Sequence, residues 1–206
     1  MTIAPNVITG PVLEPVSLTE VKLHCHIDGS TEDTLLDLYI GAAREYFESA
    51  AAYTIHEQTL EVTLDRWPGD DYIELPRATP LVSVTSITYY DSAGTAVVWG
   101  ASNYELDTDS IPGRIYLPVN GSWPSTDLRR QNAVRIRYVA GIETQSPVVE
   151  APPAVKLPVL MLVAGMYELR ESETYTDQAT IAAVAMRYGV EAFIARIRDR
   201  VAPSSY

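Results

Sequence analysis

The chain has 206 residues with one cysteine, 47% hydrophobic residues and a formal net charge of −12. This apolar fraction is typical of a folded globular chain, and the single cysteine excludes an internal disulfide framework. The negative charge argues against free-standing binding of nucleic acid, because phosphate contacts need a basic surface. The longest apolar run, Leu157 to Tyr167, is too short to span a bilayer, so no membrane partner is expected.

The N-terminal quarter of the chain predicts an arm followed by helices. Residues 1–13 have little periodicity and predict a flexible N-terminal arm. Residues 14–53 predict a short helix, a turn and a long helix. Ser17 and Glu20 have the spacing of a capping box, in which each side chain binds a backbone N–H of the first turn. Ser30 or Thr31 is expected to cap the long helix.

The long helix carries two adjacent apolar stripes. One consists of Leu36, Ile40, Ala43, Phe47 and Ala50, and the other of Leu35, Tyr39, Ala42 and Tyr46. Two stripes predict a helix that is covered on more than one side, as in a bundle or an assembly. Because the next part of the chain predicts β structure, the helices that cover it must come from the far end of the chain.

Residues 54–141 predict a β insertion domain. Apolar and polar residues alternate in several short segments, which indicates six or seven strands in an antiparallel sheet or a small sandwich. Val82–Tyr90 and Thr95–Trp99 flank a turn and predict a hairpin. The alternation of apolar and polar residues changes phase between Val84 and Ile87, which predicts a β-bulge near Thr85–Ser86.

Helical signals return near the C-terminus. Residues 142–151 are predicted to be a linker, residues 152–201 to complete the helical domain that begins with residues 14–53, and residues 202–206 to be a C-terminal tail. A helix is also expected over Ala179–Met186. The fold class is therefore predicted to be α+β, a helical bundle of N- and C-terminal helices with an inserted antiparallel β region. Packing between the two helical regions is assigned to Leu36, Ile40, Phe47, Leu160, Val163 and Tyr167.

The sequence predicts no catalytic, cofactor-binding or metal-binding residues. His24, Cys25 and His26 are the only cluster of soft metal ligands, but adjacent residues on a helix point about 100° apart and cannot converge on one ion. The Asp pairs in the predicted turns favour local hydrogen bonding over cation binding. Gly-x-Ser-x-Gly, P-loop and Gly-x-Gly-x-x-Gly motifs do not occur. These observations favour a structural or interaction protein over an enzyme.

Eight phrases, taken in order, resemble the head–tail connector (adaptor) proteins of long-tailed phages and gene transfer agents. The resemblance covers nearly the whole chain after residue 13, and the order of the phrases is more specific than any single one. They are EPVSLTEVK at Glu14, LLDLYIGAAREYFE at Leu35, LEVTLDRWPG at Leu60, LPRATPLVSVTSITYYDSAGT at Leu75, YELDTDSIPGRIYL at Tyr104, NAVRIRYVAG at Asn132, PPAVKLPVLMLVAGMYELRES at Pro152 and RYGVEAFIARIR at Arg187.

This resemblance implies a virion protein without catalysis or cofactor. It implies a dodecameric ring beneath the portal protein, joining the DNA-filled capsid to the tail, with a stopper or tail-terminator protein below and assembly in the cytoplasm of a bacterial host. DNA would pass through the lumen without specific binding, since an acidic lumen repels phosphates. The alternatives are another head-completion or tail protein, such as a tail terminator or a β-rich decoration protein, or a small enzyme with an unrecognised site.

The C-terminal segment is the basic end of this acidic chain and is the predicted contact with the portal or a neighbouring subunit. Its arginines concentrate positive charge, while its apolar residues need a surface to bury them. The alternative is a solvated helix end, since arginine near a helix C-terminus is favoured by the helix dipole. The residues assigned to this interface are Phe193, Ile194, Arg196, Ile197, Arg198, Arg200 and Tyr206.

Overall fold

A computed structural model describes residues 4–142, 149–169 and 189–201 of the chain. The described residues form two compact units. The β unit comprises Glu57–Gly141 with the segment that ends at Pro11, and the helical unit comprises Val12–His56 with the described residues from Ile142 onward. The α+β fold class predicted from the sequence is confirmed, with the antiparallel β region inserted between helices.

The β unit contains two antiparallel sheets among its described residues. The five-stranded sheet has the order β1-β2-β8-β4-β5, and the three-stranded sheet has the order β3-β7-β6. The strands are β1 (Asn6–Thr9), β2 (Gln58–Leu64), β3 (Tyr72–Glu74), β4 (Leu81–Tyr90), β5 (Ala96–Trp99), β6 (Glu105–Asp107), β7 (Arg114–Tyr116) and β8 (Val134–Ala140).

Strand β8 lies at the centre of the larger sheet and shows why the alternating sequence becomes a strand. Its even-numbered residues Val134, Ile136, Tyr138 and Ala140 are buried, while its odd-numbered residues point to the other face. Ile136 lies opposite Val62 on β2 and Ile87 on β4. These cross-strand pairs form the middle of the β core.

The predicted hairpin and bulge are both confirmed. Strands β4 and β5 pair antiparallel around the turn that begins at Asp91. The register between β4 and β8 shifts between Val84 and Ser86, and also between Leu81 and Ser83. An extra residue in one strand turns the next apolar side chain back to the core face, which restores burial of Ile87.

The N-terminal segment differs from the flexible arm predicted over residues 1–13. Residues Asn6–Thr9 form strand β1, in which Val7 lies opposite Leu60 of β2. All four residues of β1 are exposed. An edge strand is held by backbone hydrogen bonds and needs no buried side chains, so its sequence carries no apolar periodicity by which to predict it.

The helical unit contains four helices among its described residues. They are α1 (Leu18–Cys25), α2 (Asp33–Ala51), α3 (Pro153–Leu169) and α4 (Val190–Val201). The capping box of α1 is confirmed, because the Ser17 side chain accepts from the Glu20 backbone N–H and the Glu20 carboxylate accepts from the Ser17 N–H at 2.7 Å. None of the described helices has the length and apolar character needed to cross a membrane.

The predicted cap of α2 is wrong. The N-cap is Glu32 and not Ser30 or Thr31, and it makes no side-chain capping hydrogen bond. The Asp33 N–H instead bonds the Ser30 carbonyl oxygen at 3.4 Å, so the turn continues to Glu32 before the helix begins. Glu32 is held there from α3, because its carboxylate accepts a hydrogen bond from the Tyr167 hydroxyl at 2.5 Å.

Helix α2 is covered on two sides, as its two stripes indicated. Its first stripe is buried at Leu36, Ile40, Ala43 and Phe47, while the second stripe is partly buried against the same core. Helix α1 contributes Val21 to this core. The larger share comes from α3 and α4 and consists of Val155, Val159, Leu162, Val163, Met166, Val190 and Ile194. Helix α3 continues through Pro158, whose side chain is itself buried.

Three expectations lie outside the described residues or at their margin. The helix expected over Ala179–Met186 and the tail over 202–206 lie outside them. Of the linker predicted over 142–151, only Ile142 and residues 149–151 are described.

Replacing Phe47 by alanine is expected to lower the free energy of unfolding by about 3–5 kcal/mol, because Phe47 has no exposed surface in the helical core. Leu38→Ala is the matched control, since Leu38 lies on the same helix with 66% of its surface exposed. Urea unfolding of both variants measures the difference. Equal destabilisation of the two variants would contradict the packing described for α2.

Candidate functional site

The helical unit contains a cleft of about 740 Å³. Its walls are formed by the segment before α1, by α2, by His56 and by the start of α3 with the residues before it. The cleft is lined by Leu13, Glu14, Pro15, Val16, Ser17, Leu18, Glu20, Asp37, Ile40, His56, Val149, Glu150, Ala151 and Lys156. Four carboxylates and one ammonium group are among these residues, so the cleft is acidic.

Buried charge next to the cleft is paired. Arg44 lies on the covered side of α2 and contacts the Glu14 carboxylate at 2.9 Å and the Glu48 carboxylate at 3.2 Å. The other oxygen of Glu48 accepts the backbone N–H of Ile55 at 2.9 Å. Removing one member would leave a buried charge without compensation, which costs more than the pair contributes. The network therefore fixes the end of α2 to the segment that follows it.

His56 is the buried titratable group of the cleft. Only 2% of its surface is exposed, and its Nδ1 has no hydrogen-bond partner among the described residues. Burial lowers the pKa of His56, while the Glu48 carboxylate opposes this shift. The imidazole is therefore held neutral at neutral pH, with one ring nitrogen available to a further partner.

Lys156 closes one side of the cleft. Its ammonium group contacts Glu20 at 3.0 Å and Glu150 at 2.8 Å, and these two carboxylates raise the pKa of Lys156. The pKa of Glu20 is lowered, mainly by the hydrogen bond from the Ser17 backbone N–H. Lys156 thus links the capping box of α1 to the first turn of α3.

The predicted C-terminal interface is divided by the fold. Ile194 is buried in the helical core, and Phe193 and Ile197 are half-buried on the same side of α4. Arg196 and Arg198 are exposed, and neither makes an ion pair with a described residue. Side-chain positions of Arg200 and Tyr206 lie outside the description. The apolar face of α4 is therefore used within its own unit, and the exposed part of the predicted interface is basic.

The residues assigned to helical packing lie in one core. Leu36, Ile40, Phe47 and Val163 are buried there, and Leu160 and Tyr167 are partly buried against them. The Tyr46 hydroxyl, on the second stripe of α2, has its pKa raised by burial and by the Glu191 carboxylate of α4.

The histidine–cysteine segment does not converge. His24 and His26 are exposed and Cys25 is half-buried, with its thiol pKa raised by burial. Among the described residues, no group of three His, Cys, Asp or Glu side chains could hold a metal ion.

Sequence reasoning missed the buried polar residues. Arg44 and Glu48 have the i, i+4 spacing of a helical ion pair beside Phe47, and this signal could have placed them next to the apolar stripe. His56 has no such signal, because its burial depends on the return of the chain at Ile142.

Comparison with known proteins relates these features to a family. Residues 15–96 match the family described as Phage gp6-like head-tail connector protein. The resemblance to head–tail connectors is confirmed. The matched segment contains α1 and α2, the Arg44–Glu48 pair, His56, and the strands up to the start of β5. Comparison with curated proteins finds no match.

Three solved structures share the fold over most of the chain. A chain in the neck of an empty gene transfer agent (GTA) particle, computed with C6 symmetry, is 23% identical with a TM-score of 0.69, covering 90% of this chain and 95% of that chain. A chain in the virion of a native GTA particle is 24% identical with a TM-score of 0.67 and coverages of 90% and 95%. A chain in the neck of a native particle computed with C12 symmetry is 23% identical, with a TM-score of 0.65 and coverages of 90% and 94%. These likenesses establish the shared fold.

The buried imidazole is expected to make folding pH-dependent below about 6.5, the ordinary pKa of histidine. In that range the unfolded chain binds a proton at His56 more readily than the folded chain, so the free energy of unfolding falls as the pH falls. His56→Gln should remove this part of the slope, whereas His24→Gln, at an exposed position, should retain it. Urea unfolding between about pH 5 and 7.5 measures both. An unchanged slope in His56→Gln would contradict the assignment.

We also expect His24, Cys25 and His26 to bind no metal. Elemental analysis of protein purified without chelator should find no stoichiometric zinc or iron. A stoichiometric metal that is lost in the variant carrying both His24→Ala and His26→Ala would overturn this expectation.

Proposed function

We propose that this protein is a structural head–tail connector that forms a ring at the head–tail junction of a phage or gene transfer agent particle. The observation that carries the proposal is the family match over residues 15–96, which lies within a fold shared with neck chains over 90% of this chain. A general α+β fold would not by itself select a function. The family match supplies the specific part of the argument.

The ring is proposed to contain twelve copies. A chain of the same fold is found in a GTA neck computed with C12 symmetry, and another in a neck computed with C6 symmetry. Twelve subunits are compatible with both symmetries. The protein is proposed to act by position rather than by catalysis, with the buried Arg44 and Glu48 compensating each other as structural charges.

The role of a head–tail connector also implies the partners that we propose. The portal protein lies on the head side of the ring, and a stopper or tail-terminator protein lies on the tail side. With a net charge of −12, the wall of the channel repels DNA phosphates and lets the genome pass without specific binding. Assembly takes place in the cytoplasm of a bacterial host, before or during attachment of the tail.

The two parts of the chain are proposed to act as separate modules. The helical unit carries the contacts within the ring and to the portal, and the β unit is offered to the next protein of the neck. Within the helical domain, the exposed Arg196 and Arg198 support contact of α4 with the portal or an adjacent subunit.

The experiment is reconstitution with the portal protein encoded in the same genome. We expect the purified chain to bind preformed portal rings and to give a closed ring of twelve copies, measured by native mass spectrometry and electron microscopy. Each component alone is the control. In the particle, deletion of the gene should give filled heads without tails, and the wild-type gene should restore them. Absence of any portal complex, together with normal tailed particles in the deletion strain, would refute the function.

A further inference from the structure

The acidic cleft has charge that the described residues of its own unit do not neutralise. Glu14 is paired with Arg44, and Glu20 and Glu150 share Lys156. Asp37, on the exposed side of α2, makes no ion pair with a described residue. The cleft therefore presents a net negative surface, and its unpaired carboxylate lies where an incoming cation can reach it.

His56 is a second and independent sign of a missing partner. Its side chain lines the cleft and is 98% removed from solvent, yet Nδ1 has no partner among the described residues. A buried polar atom without a hydrogen bond is uncommon in native proteins, because its desolvation is not repaid. A neutral imidazole nitrogen can accept a hydrogen bond from an N–H donor, which a guanidinium group supplies in several directions.

Guanidinium groups of this kind lie on a positively charged surface of the same unit. Arg196 and Arg198 are exposed on α4 and unpaired within the described residues, while Ile194 holds the helix in the core. None of the described side chains of helix α4 lines the cleft. The two surfaces of one copy are therefore distinct patches of opposite charge.

We propose that the arginine-bearing surface of α4 in one copy enters the acidic cleft of the next copy. The guanidinium group pairs with Asp37 and brings an N–H donor toward His56. This inference rests on the proposed function, because it requires copies to stand side by side in a ring. The proposed function left open whether α4 contacts the portal or an adjacent subunit, and this inference assigns the contact to the adjacent subunit.

A contact of this kind determines the symmetry of the assembly. The cleft and the exposed surface of α4 are different patches. Each copy therefore presents its cleft to one neighbour and its α4 surface to the other, which makes the interface heterologous. Heterologous contacts produce rings when the rotation between copies closes. A few exposed ion pairs bind weakly by themselves, so closure depends on a high local concentration such as that on a portal surface. We therefore expect the chain to assemble on its template rather than in dilute solution.

Charge exchange tests the proposal on portal rings. Asp37→Arg alone, and Arg196→Asp with Arg198→Asp, should each abolish closed rings, because they place like charges together. The variant that carries all three changes should restore rings, which a merely structural role of these residues would not do. All three residues are exposed, so the variants should keep the wild-type unfolding midpoint in urea. Rings that form equally well in every variant would overturn the proposal.

Cross-linking locates the contact directly. In a Cys25→Ser background, chains with Asp37→Cys are mixed on portal rings with chains carrying Arg196→Cys or Arg198→Cys, and a short bis-maleimide is added. We expect mixed dimers with at least one of the two α4 positions. Val98→Cys, at a position on β5 with 70% exposure, replaces the α4 cysteine as control and should give none.

A failure of the cleft contact and a failure of the connector function give different experimental results. Wild-type rings that join heads to tails, but give no Asp37–α4 cross-link and tolerate the charge reversals, would reject the cleft contact and leave the connector function intact. A wild-type chain that forms no ring with its portal would reject the function, and the contact with it.

Discussion

The fold depends on covering α2 from both sides with helices that lie at the other end of the chain. Phe47 and Ile40 are buried in a core to which α3 and α4 contribute most of the other side chains. The chain must therefore return after the β insertion. It leaves and re-enters the helical unit at one point, where the Ile142 N–H bonds the Ile55 carbonyl oxygen at 2.9 Å and His56 pairs with Ile142. This closure lets a long insertion interrupt the helical core at little entropic cost beyond one closed loop.

The same closure explains why charged residues are buried in this unit. The end of α2 and the residues that follow it must be joined without exposing the core, and Glu48 does this by accepting the Ile55 N–H while pairing with Arg44. A paired buried charge adds little net stability, but it restricts the backbone to one arrangement. His56 comes next in the chain and is buried by the same join, with Nδ1 left without a partner in the described residues. The burial of these polar groups in the helical unit is thus a consequence of how the insertion is closed.

Periodicity predicted the parts of this fold that bury apolar side chains. The two-sided α2, the β4–β5 hairpin, the bulge before Ser86 and the capping box of Ser17 all leave a signal in the spacing of a few neighbouring residues. Strand β1 leaves none, since backbone pairing is indifferent to its side chains. The inward orientation of α4 depends on residues of α2 more than a hundred positions away, and the burial of His56 depends on the return of the chain at Ile142. For those features the sequence shows which residue types are present, but the local spacing does not indicate which residues come into contact.

The distribution of charge connects the fold to assembly. Copies of a chain with a net charge of −12 repel one another, so a ring needs local attraction strong enough to offset that repulsion. The fold buries the apolar side of α4 and leaves Arg196 and Arg198 exposed, which keeps positive charge on one small surface of the helical unit. In the proposed ring, these arginines pair with carboxylates at the contact between copies, so the remaining surface is acidic. One arrangement then serves two requirements, because the acidic residues that the contacts do not use can face the DNA and repel it.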